Sequence, residues 1–162
     1  NKMIPLGFIF LGLASIAEMI DHTQTSWIYV NHSSLFNWLF YAFLSLGLTF
    51  LSISVIKNKF IQATNLCISF SSIISYFLFD KTIALFFQAI ISVFLITNWQ
   101  RIFKDWIIIL YPIFGIIFTT FFGTILSNSG DQFWHIFIGP SGTLSVLSFY
   151  LVLQRYRKNK IT

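Results

Sequence analysis

The run SLFNWLFYAFLSLGLTFLSISVI, residues 34–56, contains no Asp, Glu, Lys or Arg. A helix of about 20 predominantly apolar residues crosses the roughly 30 Å hydrocarbon core of a bilayer, so this stretch predicts a transmembrane span. Working outward, residues 3–20, 60–79, 82–97, 105–127 and 132–154 read the same way, which gives six spans in all. Their interiors mix Phe, Ile and Leu with Ser, Thr and Gly, as expected where membrane helices pack through small residues and weak interhelical hydrogen bonds. Pro112 in the fifth run and Gly139-Pro140-Ser141-Gly142 in the sixth are expected to kink or locally open their helices.

Composition agrees with that reading. The 162 residues are 56% hydrophobic and 9% charged, against roughly 25% charged in ordinary soluble domains. The predicted fold class is therefore all-α: a polytopic transmembrane helix bundle, one domain over residues 1–162, integral to a membrane that the sequence does not identify. Lys2 before an apolar run looks superficially like a signal peptide, but no small-residue cleavage site precedes Glu18, so the run reads as a retained span. The single cysteine, Cys67, offers neither a disulfide framework nor a cysteine-based zinc site. The net charge of +5 sits in short loops and the C-terminal tail, which points to anionic lipid headgroups as partners and away from nucleic acid.

With six spans, both termini fall on one side. That side collects Lys2, Lys57, Lys59, Arg101, Lys104, Arg155, Arg157, Lys158 and Lys160, and only Lys81 falls on the other. The positive-inside rule makes the basic side cytoplasmic. Trp99 and Trp106 mark the basic interface, and Trp27, Tyr29, Trp38 and Trp134 mark the opposite one, as aromatic belts do.

The acids and histidines sort in the opposite sense. Glu18, Asp21, Asp80 and Asp131, with His22, His32 and His135, all fall on the exoplasmic side, and only Asp105 is cytoplasmic. Ionisable groups in spans usually face a bundle interior or a wet cavity. Glu18 and His22 are four residues apart at the end of the first span, and Asp131 and His135 repeat the spacing at the start of the sixth. On a helix that spacing puts both groups on one face. Brought together, His22, His32, Asp131 and His135 could supply three nitrogen or oxygen ligands to a zinc-like ion, with the fourth position left to water. Glu18 or Asp21 would then act as general base for hydrolysis of a lipid amide or ester.

Each residue also has a plainer reading. Asp131 after Asn128-Ser129-Gly130 suits a helix N-cap, and His135 suits a hydrogen bond to a neighbouring helix. Glu18 could reach the interface or pair with Lys81, while His22 and His32 belong to a polar loop. Gln62, Asn65 and Gln88 within the third and fourth spans read first as interhelical hydrogen-bonding groups, with a substrate path as the alternative. Two further function classes stand beside the hydrolase. One is a non-catalytic subunit packing against other membrane subunits, in keeping with 20% aromatic residues. The other is a protein whose His135 or His22 ligates haem or a pigment.

The stretch Asp131-Gln132-Phe133-Trp134-His135-Ile136-Phe137-Ile138-Gly139 resembles the last-helix signature of the CREST superfamily of membrane hydrolases, the alkaline ceramidases and adiponectin-receptor-like proteins. That signature is a HxxxH pair, with Trp before the second His in the ceramidases and a Gly-containing helix after it. The resemblance implies an intramembrane zinc site in which His135 takes the second histidine's place and an upstream histidine supplies a third ligand. It covers about a dozen residues. Asp131 stands where the family has its first histidine, six spans are counted rather than seven, and there is no upstream Ser-x-x-x-His pair.

Overall fold

The computed structural model describes residues 2–24, 35–79, 81–118, 121 and 134–161, with a backbone description alone for 22–24, 81, 134–139 and 159–161. Four helices, α1 (Met3–Gln24), α2 (Leu35–Ile53), α3 (Lys59–Leu78) and α4 (Lys81–Phe103), are followed by a composite helical segment, α5 (Trp106–Phe118), and a final helix, α6 (Trp134–Ile161). The first four meet the length and hydropathy of a membrane span. The chain divides into two compact units, residues 1–98 and 99–162.

In the first unit α1 and α2 run antiparallel in one register, with Gly7 beside Leu51 and Leu11 beside Gly47. The absence of side chains at Gly7 and Gly47 lets the two backbones approach, and a Cβ on either would come within 3 Å of the opposing leucine. Phe10 stacks on Phe50 with ring centroids 5.4 Å apart and meets Phe43 at 5.9 Å. The buried positions of α1, Gly7, Leu11, Ala14, Ala17 and Asp21, recur every three or four residues, so one stripe faces α2 while Ile9, Ile16 and Met19 point outward. Outward apolar side chains are the normal state of a helix solvated by lipid.

Several boundaries depart from the sequence reading for identifiable reasons. α1 continues to Gln24, past the expected end at 20, so Asp21 lies within the helix. α2 stops at Ile53 instead of reaching 56. There Ser54 Oγ donates to the carbonyl of Leu51 at 2.7 Å, and the Gln62 amide donates to that of Ile56 at 2.6 Å. The next helix then starts on Asn58, whose side-chain oxygen accepts from the N–H groups of Phe60 and Ile61. α4 runs to Phe103, beyond the expected 97, until Lys104 adopts a left-handed backbone with φ 50°.

The second unit is built on the pairing of α5 with α6. Asp105 lies beside Arg155, Tyr111 beside Phe149, and Gly115 beside Ser145, a constant antiparallel register. Asp105 caps the start of α5, accepting from the Ile107 N–H at 3.1 Å. The segment passes from a 3-10 turn (Trp106–Ile109) through one short α-helical stretch (Leu110–Pro112) to a π-helix (Ile113–Phe118). The expected irregularity thus falls at Pro112, which lacks an N–H and crowds the preceding turn. Pro140, by contrast, lies inside an unbroken α6, so the local opening expected there does not occur. Proline within a membrane helix is tolerated where neighbouring groups take up the freed backbone.

Trp99, expected as an interface marker, is instead the centre of this unit's core. It is wholly buried against Phe103 and Phe149, with ring centroids 4.9 and 4.8 Å away. Trp106 does keep an exposed ring.

Candidate functional site

Asp21 closes the buried stripe of α1 and is 2% exposed. Placing a carboxylate at the end of an otherwise apolar stripe commits it to partners on the facing helices, because an unpartnered buried polar group is costly. The Asn37 amide, at the start of α2, donates to Asp21 Oδ2 at 3.4 Å. Its carbonyl oxygen accepts from the Tyr76 hydroxyl, at the end of α3, at 2.6 Å. The orientation of the Asn37 amide is fixed by these two neighbours, since only one end can donate and only the other can accept. A single chain of side chains therefore ties the ends of α1, α2 and α3. Glu18, one turn earlier on α1, is half-buried.

From this cluster a polar seam descends through the unit. α2 contributes Asn37, Tyr41, Ser45, Thr49 and Ser52, spaced three or four residues apart along one helix face, and α3 contributes Asn65, Ser69, Ser72 and Tyr76 on the same principle. The rings of Tyr41 and Tyr76 pack with centroids 5.5 Å apart. Gln88 on α4 donates to the Tyr41 carbonyl at 3.0 Å and to Ser45 Oγ at 2.9 Å. Ser45 and Ser72 share a hydrogen bond of 3.1 Å, and Ser72 also donates to the carbonyl of Ala84 at 3.0 Å. Lower down, Ser52 donates to the Asn65 side chain at 3.2 Å. Gln88 and Asn65 are thus interhelical hydrogen-bonding groups, as expected, and Gln62 serves the turn between α2 and α3.

The register that pairs Ser45 with Ser72 and Ser52 with Asn65 brings Thr49 opposite Ile68 and Ser69. Both hydroxyls there, Thr49 Oγ1 and Ser69 Oγ, are buried and lack a hydrogen-bond partner among the described residues. The middle of the seam is therefore its least satisfied point.

Of the six residues expected to form a metal or hydrolytic site, the structure brings Glu18 and Asp21 to this end of α1, with Asp21 held by Asn37. His22 follows Asp21 in α1 and His135 lies in the first turn of α6, but both side chains fall outside the described residues, as do His32 and Asp131 altogether. The Lys81 side chain, the alternative partner for Glu18, lies outside them too. Among the described residues no three His, Cys, Asp or Glu side chains come together. Sequence reasoning missed Asn37, Tyr41 and Tyr76. The signal that could have found them is the recurrence of polar groups every four residues along an apolar run.

Apolar spans stitched by a buried polar seam define a multi-pass integral membrane protein of the helical class. Residues 1–159 match the family described as seven transmembrane receptor, and the chain belongs to that family. No curated protein and no solved structure matches it.

Proposed function

We propose that the chain acts as a membrane receptor whose input is read at the Asp21, Asn37 and Tyr76 cluster. The ligand this chemistry suits carries a cationic or hydrogen-bond-donating group, because a carboxylate recognises donors and positive charge. The observation that carries the reading is that one buried carboxylate is shared, through Asn37, by the ends of three helices. The family's description as receptors supports it.

A donor that competes for Asp21 releases the Asn37 amide, and with it the hold of Tyr76. Interhelical hydrogen bonds in membranes average about 0.6 kcal/mol and reach about 1.7. Two of them amount to roughly 1–3 kcal/mol, which is the usual scale of coupling between a ligand and a conformational equilibrium. The cluster is strong enough to set the helix arrangement and weak enough for a ligand to shift it.

The test is a thermal-shift screen of the detergent-purified protein with small organic amines and matched neutral alcohols, run in parallel on Asp21→Asn. Amines that shift the wild type and leave Asp21→Asn unmoved support the proposal. Equal responses in both proteins, or none in either, sink it. Metal analysis on the same samples addresses the hydrolase expected from the histidines. About one zinc per chain, lost in His135→Ala, would replace the receptor reading of this end of the molecule with a metal centre and make lipid amides the next substrates to try.

A further inference from the structure

The corner between α4 and α5 holds an open cavity of about 420 Å³ lined by Phe103, Lys104, Asp105, Trp106 and Arg155. Its construction begins with the end of α4. Lys104 donates its backbone N–H to the carbonyl of Gln100 at 3.0 Å and turns into the left-handed region at φ 50°. Glycine is the usual residue at such a helix end, because a Cβ makes that backbone costly. This chain places there a long cationic side chain.

Asp105, the next residue, does not cancel that charge. One of its oxygens, Oδ1, accepts both from the Ile107 N–H at 3.1 Å and from Arg155 Nη1 at 3.3 Å, and its side chain is only 13% exposed. Arg155 is 52% exposed and has further N–H donors beyond the one it gives to Asp105. Lys104 makes no ion pair among the described residues. The accessible charged groups of the cavity are therefore cationic. Exposed Trp106 forms part of its wall, and Ile102 and Ile109 carry exposed apolar surface on either side in sequence.

We propose that this corner binds the phosphate of an anionic phospholipid from the protein's own membrane. Its position fits: the cavity sits at the end of a helix long and apolar enough to span, at the depth where headgroups lie and where exposed tryptophans settle. Its charge fits as well, because Lys104 supplies a mobile ammonium and Arg155 a planar set of donors, the two side chains best suited to phosphate. The exposed Ile102, Trp106 and Ile109 offer the acyl chains an apolar bed. The left-handed lysine has a purpose in this reading: it trades backbone ease for a cationic side chain rooted at the rim of the cavity.

Native mass spectrometry of the detergent-purified protein, loaded with phosphatidylglycerol or with phosphatidylcholine of the same chain length, tests this. The wild type is expected to retain phosphatidylglycerol preferentially. The preference falls about fivefold for each cation removed, which is the scale of one basic residue near a lipid surface. Lys104→Gly is the informative variant, because glycine suits the backbone. It should keep or raise the melting temperature while losing the preference, as Arg155→Gln also loses it, whereas Lys104→Arg should keep it. No preference in the wild type, or a preference unchanged in Lys104→Gly, overturns the proposal. So does millimolar inorganic phosphate that displaces the lipid completely, since the site would then take free phosphate in place of a membrane lipid.

Discussion

Gly47→Ala tests the closest approach of α1 to α2. A Cβ on Gly47 would lie 2.8 Å from Leu11 Cγ, 2.9 Å from Leu11 Cδ2 and 3.1 Å from the Gly7 carbonyl oxygen. Carbon atoms in contact rest about 3.5–4.0 Å apart, so the added methyl overlaps Leu11 by roughly 0.7 Å. Leu11 is only 6% exposed, which leaves it little room to swing. The Gly7 oxygen belongs to the backbone and recedes only if α1 moves. Overpacking of this kind costs about 1–3 kcal/mol, against about 0.8–1.0 kcal/mol gained from alanine's better helix propensity. The expected net loss is on the order of 1 kcal/mol. Gly12→Ala on the facing helix α1 is the control, because nothing lies within 4 Å of its Cβ; it should be neutral, or more stable by up to about 1 kcal/mol. Unfolding of the detergent-solubilised protein in SDS, followed by helical circular dichroism, reads both. Adding Leu11→Ala to Gly47→Ala should recover part of the loss, giving a coupling of about 1 kcal/mol in the double-mutant cycle. Equal stability of Gly47→Ala and Gly12→Ala, or zero coupling to Leu11, would refute the packing argument.

Three further outcomes follow from the same reasoning. Thr49→Val removes a buried hydroxyl that has no partner among the described residues, without changing the shape of the side chain, and should stabilise the protein by about 1 kcal/mol. A loss of stability in that variant would mean that the hydroxyl is bonded after all. Ser45→Ala should do the reverse, because Gln88 and Ser72 both lose a partner; the cost should be about 0.6–1.7 kcal/mol in the same unfolding assay. Trp99→Ala empties the centre of the second unit's core and should cost about 3–5 kcal/mol, visible as an early transition in near-ultraviolet circular dichroism; a change under about 1 kcal/mol would contradict the burial of Trp99.

The membrane character and helical class were legible in the sequence because they depend only on the length and composition of single runs, such as 34–56. Helix ends were less legible, since local chemistry sets them. Asn58 starts α3 by capping it, and Lys104 ends α4 with a left-handed backbone that hydropathy does not register. Trp99 looked like a belt residue on its chemistry alone, and its burial depends on Phe149, fifty residues away in the sequence. Pro112 and Pro140 carry the same local signal, yet only the first coincides with an irregular helix.

The candidate site shows the same division more sharply. Asp21 stood out as an acid at the end of an apolar run, but the residues that define its role, Asn37 and Tyr76, are unremarkable in their own helices. One helix face can be read from spacing, because a polar group every three or four residues always lines up. Which polar face meets which, and in what register, is a property of two helices at once. A shift of one turn between α2 and α3 would set Ser45 against Ser69 and Ser52 against Ile61 or Gln62, part the packed rings of Tyr41 and Tyr76, and leave the apolar pattern of both helices intact. The hydrophobic stripe therefore confines the helices to the membrane and to each other, while the hydroxyl and amide pairs select one register from several of similar apolar fit. A seam that selects register by bonds of about 1 kcal/mol each is held by terms small enough for a competing donor to offset, so under the receptor function proposed above the features that specify the fold of this unit would also be those that let it switch.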